Sequence, residues 1–276
     1  MRSAHIGRWV VFCVLLLMVV VMLFPFYLII INAFKDFQEI VMDAIAFPTR
    51  LYFGNFAEAF YRMRYPVAFM NTLTVTVLGT AGIVLAGSLA GYQIARDGSA
   101  LSKVLFFLLI IPMMIPFQSF MLSLVRVASG LNLLGSIWGL SIIYWGCGVP
   151  MAIFLYRGFV LGVPKELDEA ATIDGCNAFR AFFLVIFPIL KPVNATVVII
   201  NAMWLWNDFL LPRLIIGANL SHNTLQLQAV QFRGMYRLDW NLIMSGFLIT
   251  LLPALIIYLI FQKQIVKGMV TGAVKG

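Results

Sequence analysis

A chain of 276 residues that is 62% hydrophobic and only 11% charged has too little polar surface to cover a water-soluble globule, for which about 25% charged residues is usual; a lipid bilayer is its solvent. The net charge of +8 comes from 19 Lys and Arg set singly at the ends of apolar runs, which excludes the clustered basic face of a nucleic-acid-binding protein. Cys13, Cys147 and Cys176 and the two histidines, His5 and His222, fall in no metal or redox spacing, so neither a disulfide framework nor a metal site is expected.

A helix needs about 20 apolar residues to cross a bilayer, and six segments reach that length. The first, Trp9–Ile31, exceeds the ~7–15-residue apolar region of a signal peptide and no small-x-small cleavage site follows it directly. It is expected to stay as a peripheral span within 1–70, with the residues that follow it up to 70 forming an external loop. The second, Asn71–Ile94, holds a GxxxG at Gly87 and Gly91 beside Ala86 and Ala90, a surface on which another helix can approach closely. Pro112 and Pro116 in the third, Val104–Leu124, and Gly146, Gly148 and Pro150 in the fourth, Ser136–Tyr156, remove or weaken backbone hydrogen bonds, so both are expected to be kinked.

The fifth span, Pro192–Leu211, places Asn194, Asn201 and Asp208 at i, i+7 and i+14, near one helix face with about 20° of drift per heptad. That face has two readings. It supplies interhelical hydrogen bonds, worth about 0.6 kcal/mol per pair, or it lines a translocation path together with Asn207. Asn201 stands open between them, whereas Asp208 is expected near the external mouth because ionisable groups inside a membrane are usually functional. The sixth span is Leu242–Phe261. Spans two to six form a core over 71–262, and 263–276 is a tail.

With the N-terminus inside, Arg2, Arg8, Arg96, Lys103, Arg157, Lys165, Arg180, Lys191, Lys263, Lys267 and Lys275 all lie on the cytoplasmic side, more than half of the 19 Lys and Arg. Lys35, Arg50, Arg62, Arg64, Arg126, Arg213, Arg233 and Arg237 lie outside. The excess favours this orientation and puts both termini in the cytoplasm.

The chain has no GxxxxGK[ST] phosphate loop and neither HExxH nor GxSxG, so no ATP binding by that route and no hydrolase chemistry are expected. Its spans hold no succession of Asp, Glu and His to relay protons. A polar path without an engine of its own implies a borrowed one.

Between spans four and five stands "KELDEAATIDGCNAFRAFF", Lys165–Phe183. Pro164 suits the first position of a helix, and Glu166, Asp168 and Glu169 put negative charge in its first turns, where the helix dipole favours it. Gly175, after Asp174, tolerates the left-handed conformation that ends helices. Asn177 is a cap for a second helix whose Phe179, Phe182 and Phe183 give it an apolar face without a local core, the mark of a partner site.

The stretch "EAATIDGCNAFRAFFLVIFPILKP" resembles the EAA loop of permease subunits of binding-protein-dependent ABC importers, through Glu169, Ala170, Ala171, Asp174, Gly175, Phe182, Ile186, Pro188 and Pro192. Cys176 stands where that pattern has alanine. "NAMWLWNDFLLP", "FQKQIVKGMVTGAVKG", "FMNTL" and "GYQIAR" extend the resemblance to the carbohydrate importers, specifically the MalG-like type of the oligosaccharide uptake group. The resemblance implies an all-α type I importer fold of six transmembrane helices in a bacterial or archaeal cytoplasmic membrane. In it the EAA loop, 164–192, is a cytoplasmic coupling helix docking an ATPase through Glu169, Ala170, Ala171, Asp174, Gly175, Phe179 and Phe182.

It further implies a second permease subunit, two ATPase subunits that hold the ATP and Mg, and an extracellular solute-binding protein. For that last partner, Arg213, Ser221, His222, Asn223 and Thr224 are candidate contacts within the external loop from Arg213 to Trp240. A glycerol-phosphate or polyol importer is the rival within the family. A stand-alone channel or ion-coupled carrier is the rival from another class.

Overall fold

The computed structural model describes residues 2–217, 219–232 and 238–273. Arg233, Arg237 and Lys275, assigned above to the two membrane sides, lie outside them, as do parts of the Arg213–Trp240 loop and the end of the 263–276 tail. Every regular element among the described residues is helical: α1 Arg2–Ala33, α2 Phe37–Met42, α3 Gly54–Arg62, α4 Tyr65–Arg96, α5 Ala100–Ile110, α6 Phe117–Gly130 and α7 Ile137–Val160. Then follow α8 Glu166–Ile173, α9 Ala178–Ile189, α10 Lys191–Asn207, α11 Leu210–Ile216, α12 Leu225–Ala229 and α13 Trp240–Ala273.

Four stretches are long and apolar enough to cross a membrane unbroken, Val11–Ala33, Tyr65–Arg96, Ile137–Val160 and Trp240–Leu259. Two pairs, Ala100–Met114 with Phe117–Gly130 and Ala178–Ile189 with Lys191–Asn207, bend by 107° and 79°; counting each pair as one span brings the number to six.

The breaks correct two expectations. Val104–Leu124 is not one kinked helix. Pro112 sits in a 3-10 turn over Ile111–Met114, and Pro116 enters α6 with an extended ψ of 133°, so two residues that cannot donate a backbone hydrogen bond end one helix and start another. The fifth span also stops early. Asp208 leaves helical geometry at ψ 135° and its Oδ1 accepts the Leu210 N–H at 3.0 Å, which removes it from the helical stripe of Asn194 and Asn201. By contrast α7 runs through Pro150 without interruption, and α13 continues past Phe261, so the expected tail is helical as far as Ala273.

The chain forms two compact units, one from the N-terminal segment up to Pro66 with Leu225–Pro253, the other from Val67–Thr224 with the chain from Ala254. Leu225–Pro253, read above as core, thus packs with the N-terminal segment. In that unit the carbonyls freed at the end of α1 are met by side chains: Asn55 donates to Ala33 O at 2.9 Å and Lys35 O at 2.7 Å, and Ser245 donates to Ala33 O at 3.1 Å. Asn241 donates to Asn55 Oδ1 at 2.8 Å. Lys35 is fully buried, its ammonium donating to Asp43 O at 2.9 Å. Its charge lies at the C-terminal end of α2, where the helix dipole favours it. Around α1 itself nearly every side chain from Val11 to Phe26 is exposed, the pattern of an apolar helix that faces lipid.

In the second unit α4 and α7 approach through small residues. A β-carbon added at Gly87 would overlap the Ala152 methyl, and one at Gly91 would lie 2.7 Å from Tyr156 Cβ. The GxxxG is therefore a packing surface.

Candidate functional site

The acidic stretch folds as a knob of two helices around a tight turn. The first, α8, begins at Glu166, with Lys165 O accepting from Asp168 and Glu169 N–H; Pro164 thus lies before the helix and does not occupy its first position. Its end is a Schellman motif: Cys176 N–H donates to Ala171 O at 2.9 Å and Gly175 N–H to Thr172 O at 3.0 Å. Gly175 carries φ +83°, a left-handed conformation that glycine adopts without steric cost. Asn177 then accepts the Arg180 N–H at 2.9 Å and caps α9, which contains a π-helical turn over Ala181–Ile186.

Glu169, Ala170, Asp174 and Gly175 are exposed, and Ile173 and Phe179 form the apolar part of the surface at 86% and 67% exposure. Two expected docking residues are not on it. Ala171 is buried, and Phe182 is 2% exposed, its ring 5.1 Å from that of Tyr92 and 5.0 Å from that of Phe183. Phe182 holds the knob to the bundle and offers nothing to a partner.

The knob's acidic residues are not equivalent. Asp168, read above as a dipole partner, pairs with Arg96 at 2.7 Å and accepts from the Tyr92 hydroxyl at 2.6 Å. Sequence reasoning missed this cluster, although Tyr92 and Arg96 stand at i and i+4 at the end of α4, the spacing of helix neighbours. Beside them Asp97 folds back on the start of α5: the Ser102 hydroxyl donates to it at 2.7 Å, and the Ser99 N–H at 2.9 Å. These bonds hold its carboxyl below the usual carboxylate range, with the Ser102 contribution the largest, so it stays charged at neutral pH.

Of the path candidates, Asn201 is 2% exposed, donates to Val197 O at 2.8 Å and points its oxygen at Gly148 of α7. It is packed between helices. Asn194 is half-buried and donates to Phe187 O at 3.3 Å, while Asn207 is exposed and donates to Met203 O at 2.8 Å. Asp208 accepts the Tyr144 hydroxyl at 2.8 Å, and Trp204 crosses Tyr144 edge to face at 5.3 Å. Trp204 also walls an apolar cavity of about 550 Å³ shared with Phe117, Phe120, Gly146 and Cys147.

The outer-loop candidates divide. Arg213 and Ser221 are exposed, whereas Asn223 and Thr224 are buried. His222 is half-buried with Nδ1 2.6 Å from Gly135 O. Asn71 donates to Ser221 O at 2.9 Å and Asn223 O at 3.0 Å, so this segment is tied to the start of α4.

Apolar helices of spanning length together with an exposed polar knob define a membrane-embedded protein. The chain belongs to the family described as binding-protein-dependent transport system inner membrane component, which matches residues 82–271. It is 34% identical over 275 residues, all of both chains, to the probable starch degradation products transport system permease protein AmyC of Thermoanaerobacterium thermosulfurigenes. It is 36% identical to the multiple sugar-binding transport system permease protein MsmG of Streptococcus mutans, over 93% of each chain. Its fold is that of a chain in the crystal structure of a bacterial ABC transporter involved in the import of the acidic polysaccharide alginate, with a TM-score of 0.79, 18% identity, and coverage of 95% of this chain and 98% of that one. The chain is thus a transport permease of the inner membrane.

Proposed function

We propose that this chain is one of two permease subunits of an ATP-driven importer for sugars or oligosaccharides, forming half of the translocation path. The observation that carries the docking part of this reading is the knob, whose exposed face of Glu169, Ala170, Ile173, Asp174 and Phe179 is shaped by the glycine turn and the Asn177 cap. It faces the cytoplasm, with both termini, and takes an ATPase subunit in a shallow fit that α8 permits because Ala170 carries only a methyl group. ATP and Mg bind in two such partner subunits and not in this chain. A second permease completes the path, and an extracellular binding protein delivers the solute near exposed Arg213 and Ser221. The carbohydrate assignment is supported by the transport of starch degradation products and multiple sugars named for the relatives above.

The test is reconstitution. Assembled with its partner permease, ATPases and binding protein in vesicles, the complex should accumulate an oligosaccharide such as maltotriose in step with ATP hydrolysis, and the chain alone should transport nothing. Accumulation of glycerol phosphate in place of sugar would contradict the substrate class. Uptake by the isolated chain would contradict the importer reading altogether.

A further inference from the structure

Arg96 closes α4, yet its side chain serves three elements at once. Its guanidinium donates to Val163 O at 2.9 Å and to Val160 O and Pro164 O at 3.4 Å, carbonyls at and just beyond the end of α7, and pairs with Asp168 of α8 at 2.7 Å. The same group lies 5.8 Å from the Tyr92 ring centre, and the Tyr92 hydroxyl donates to the other Asp168 oxygen at 2.6 Å. Arg96 and Asp168 are 14% and 21% exposed, so water competes little for either partner, unlike the surface pairs that contribute almost nothing.

The rest of the α8 surface explains why that one pair matters. Glu166, Glu169, Thr172, Ile173 and Asp174 are all exposed, and Ala171 is a small buried side chain. The polar hold on α8 from the bundle therefore runs through Asp168. A planar guanidinium suits it because its several N–H groups donate to the carbonyls in fixed directions while its charge lies beside the carboxylate, which a lysine ammonium does not combine.

We propose that Arg96 and Asp168, with Tyr92, are positioning residues that lock the knob to the ends of α4 and α7, so that a force on the knob moves both helices as one body. This rests on the importer reading, and it identifies how the docking site is joined to the path. Without the pair, α8 still binds its partner, but it swivels about the glycine turn and its motion is lost before it reaches the bundle.

The test places spin labels at Leu161→Cys and Thr172→Cys, both exposed and neither on the docking face, in a chain whose three native cysteines are replaced, assembled with its partner subunits. One narrow distance, unchanged between the nucleotide-free and the ATP-vanadate states, is expected. Asp168→Asn and Arg96→Gln should each broaden it, and the double substitution should broaden it no further than either alone, because the two residues act as a unit. Asp168→Glu, which keeps the charge, should stay narrow.

In parallel, Asp168→Asn should keep the ATPase through co-purification while stimulation of hydrolysis by loaded binding protein falls several-fold. A narrow distribution with full stimulation in Asp168→Asn would overturn the proposal, as would additive broadening in the double variant. So would loss of the assembled complex in Asp168→Asn and Asp168→Glu alike. A wild-type complex that accumulates no maltotriose would count against the substrate reading only, since the distance measurement needs no sugar.

Discussion

Gly87 of α4 faces Ala152 of α7 so closely that a methyl group on Gly87 would occupy the space of the Ala152 methyl. Gly91, one turn on, meets Tyr156 and the backbone of Arg157. The two helices are in backbone contact along this line, and the bundle has no slack there to absorb a larger residue.

Gly87→Leu should therefore cost the bundle about 1–3 kcal/mol or more through overpacking. It should be seen as a lower unfolding temperature of the purified subunit pair and a poor yield. Gly98→Ala, at a glycine with open space around it, should leave both unchanged. Equal behaviour of the two variants would mean that α4 and α7 are not in this contact.

Asn201→Leu separates the two readings of the fifth span. Because Asn201 is buried against α7 and back-bonded to Val197 O, the substitution should destabilise the pair by about 1–3 kcal/mol and lower transport only in proportion to assembled complex. A fully assembled complex of wild-type stability that no longer transports would return Asn201 to the path.

The orientation is tested by single cysteines in a cysteine-free chain. Tyr61→Cys and Ser221→Cys, both at exposed positions, should react with an impermeant thiol reagent added outside intact cells, and Lys165→Cys, also exposed, should not. The reverse pattern would put the knob on the wrong side for an ATPase.

What was legible in the sequence follows the range of the forces involved. The glycine turn at Gly175 and the Asn177 cap are local, set by residues a few positions apart, and both are found as read. Pro112 and Pro116 told where the helix must weaken, but a bend of 107° depends on what the two halves pack against. The same holds for Phe182, which turns inward because Tyr92 waits for it, while its neighbour Phe179 does not. Asp168 looked like the other carboxylates of its helix until the fold brought Arg96 beside it. Asp208 fitted a helical stripe on paper, yet its own side chain favours the local bond to Leu210 N–H that ends the helix.

If the knob is the ATPase docking site, Gly175 gives the most direct access to it. At φ +83° any side chain is strained, by about 1–2 kcal/mol, too little to unfold the bundle but enough to tilt α8 against α9. Nothing lies within 4 Å of where a β-carbon would stand, so the effect is one of backbone geometry and not of collision. The measurement is co-purification of the ATPase with permease pairs carrying Gly175→Val or Glu169→Lys, followed by hydrolysis with and without loaded binding protein. Both variants should insert and pair with the second permease, yet retain less ATPase or lose its stimulation, and take up no solute. Wild-type retention, stimulation and uptake in both would contradict the docking assignment and leave the acidic knob an ordinary solvated loop.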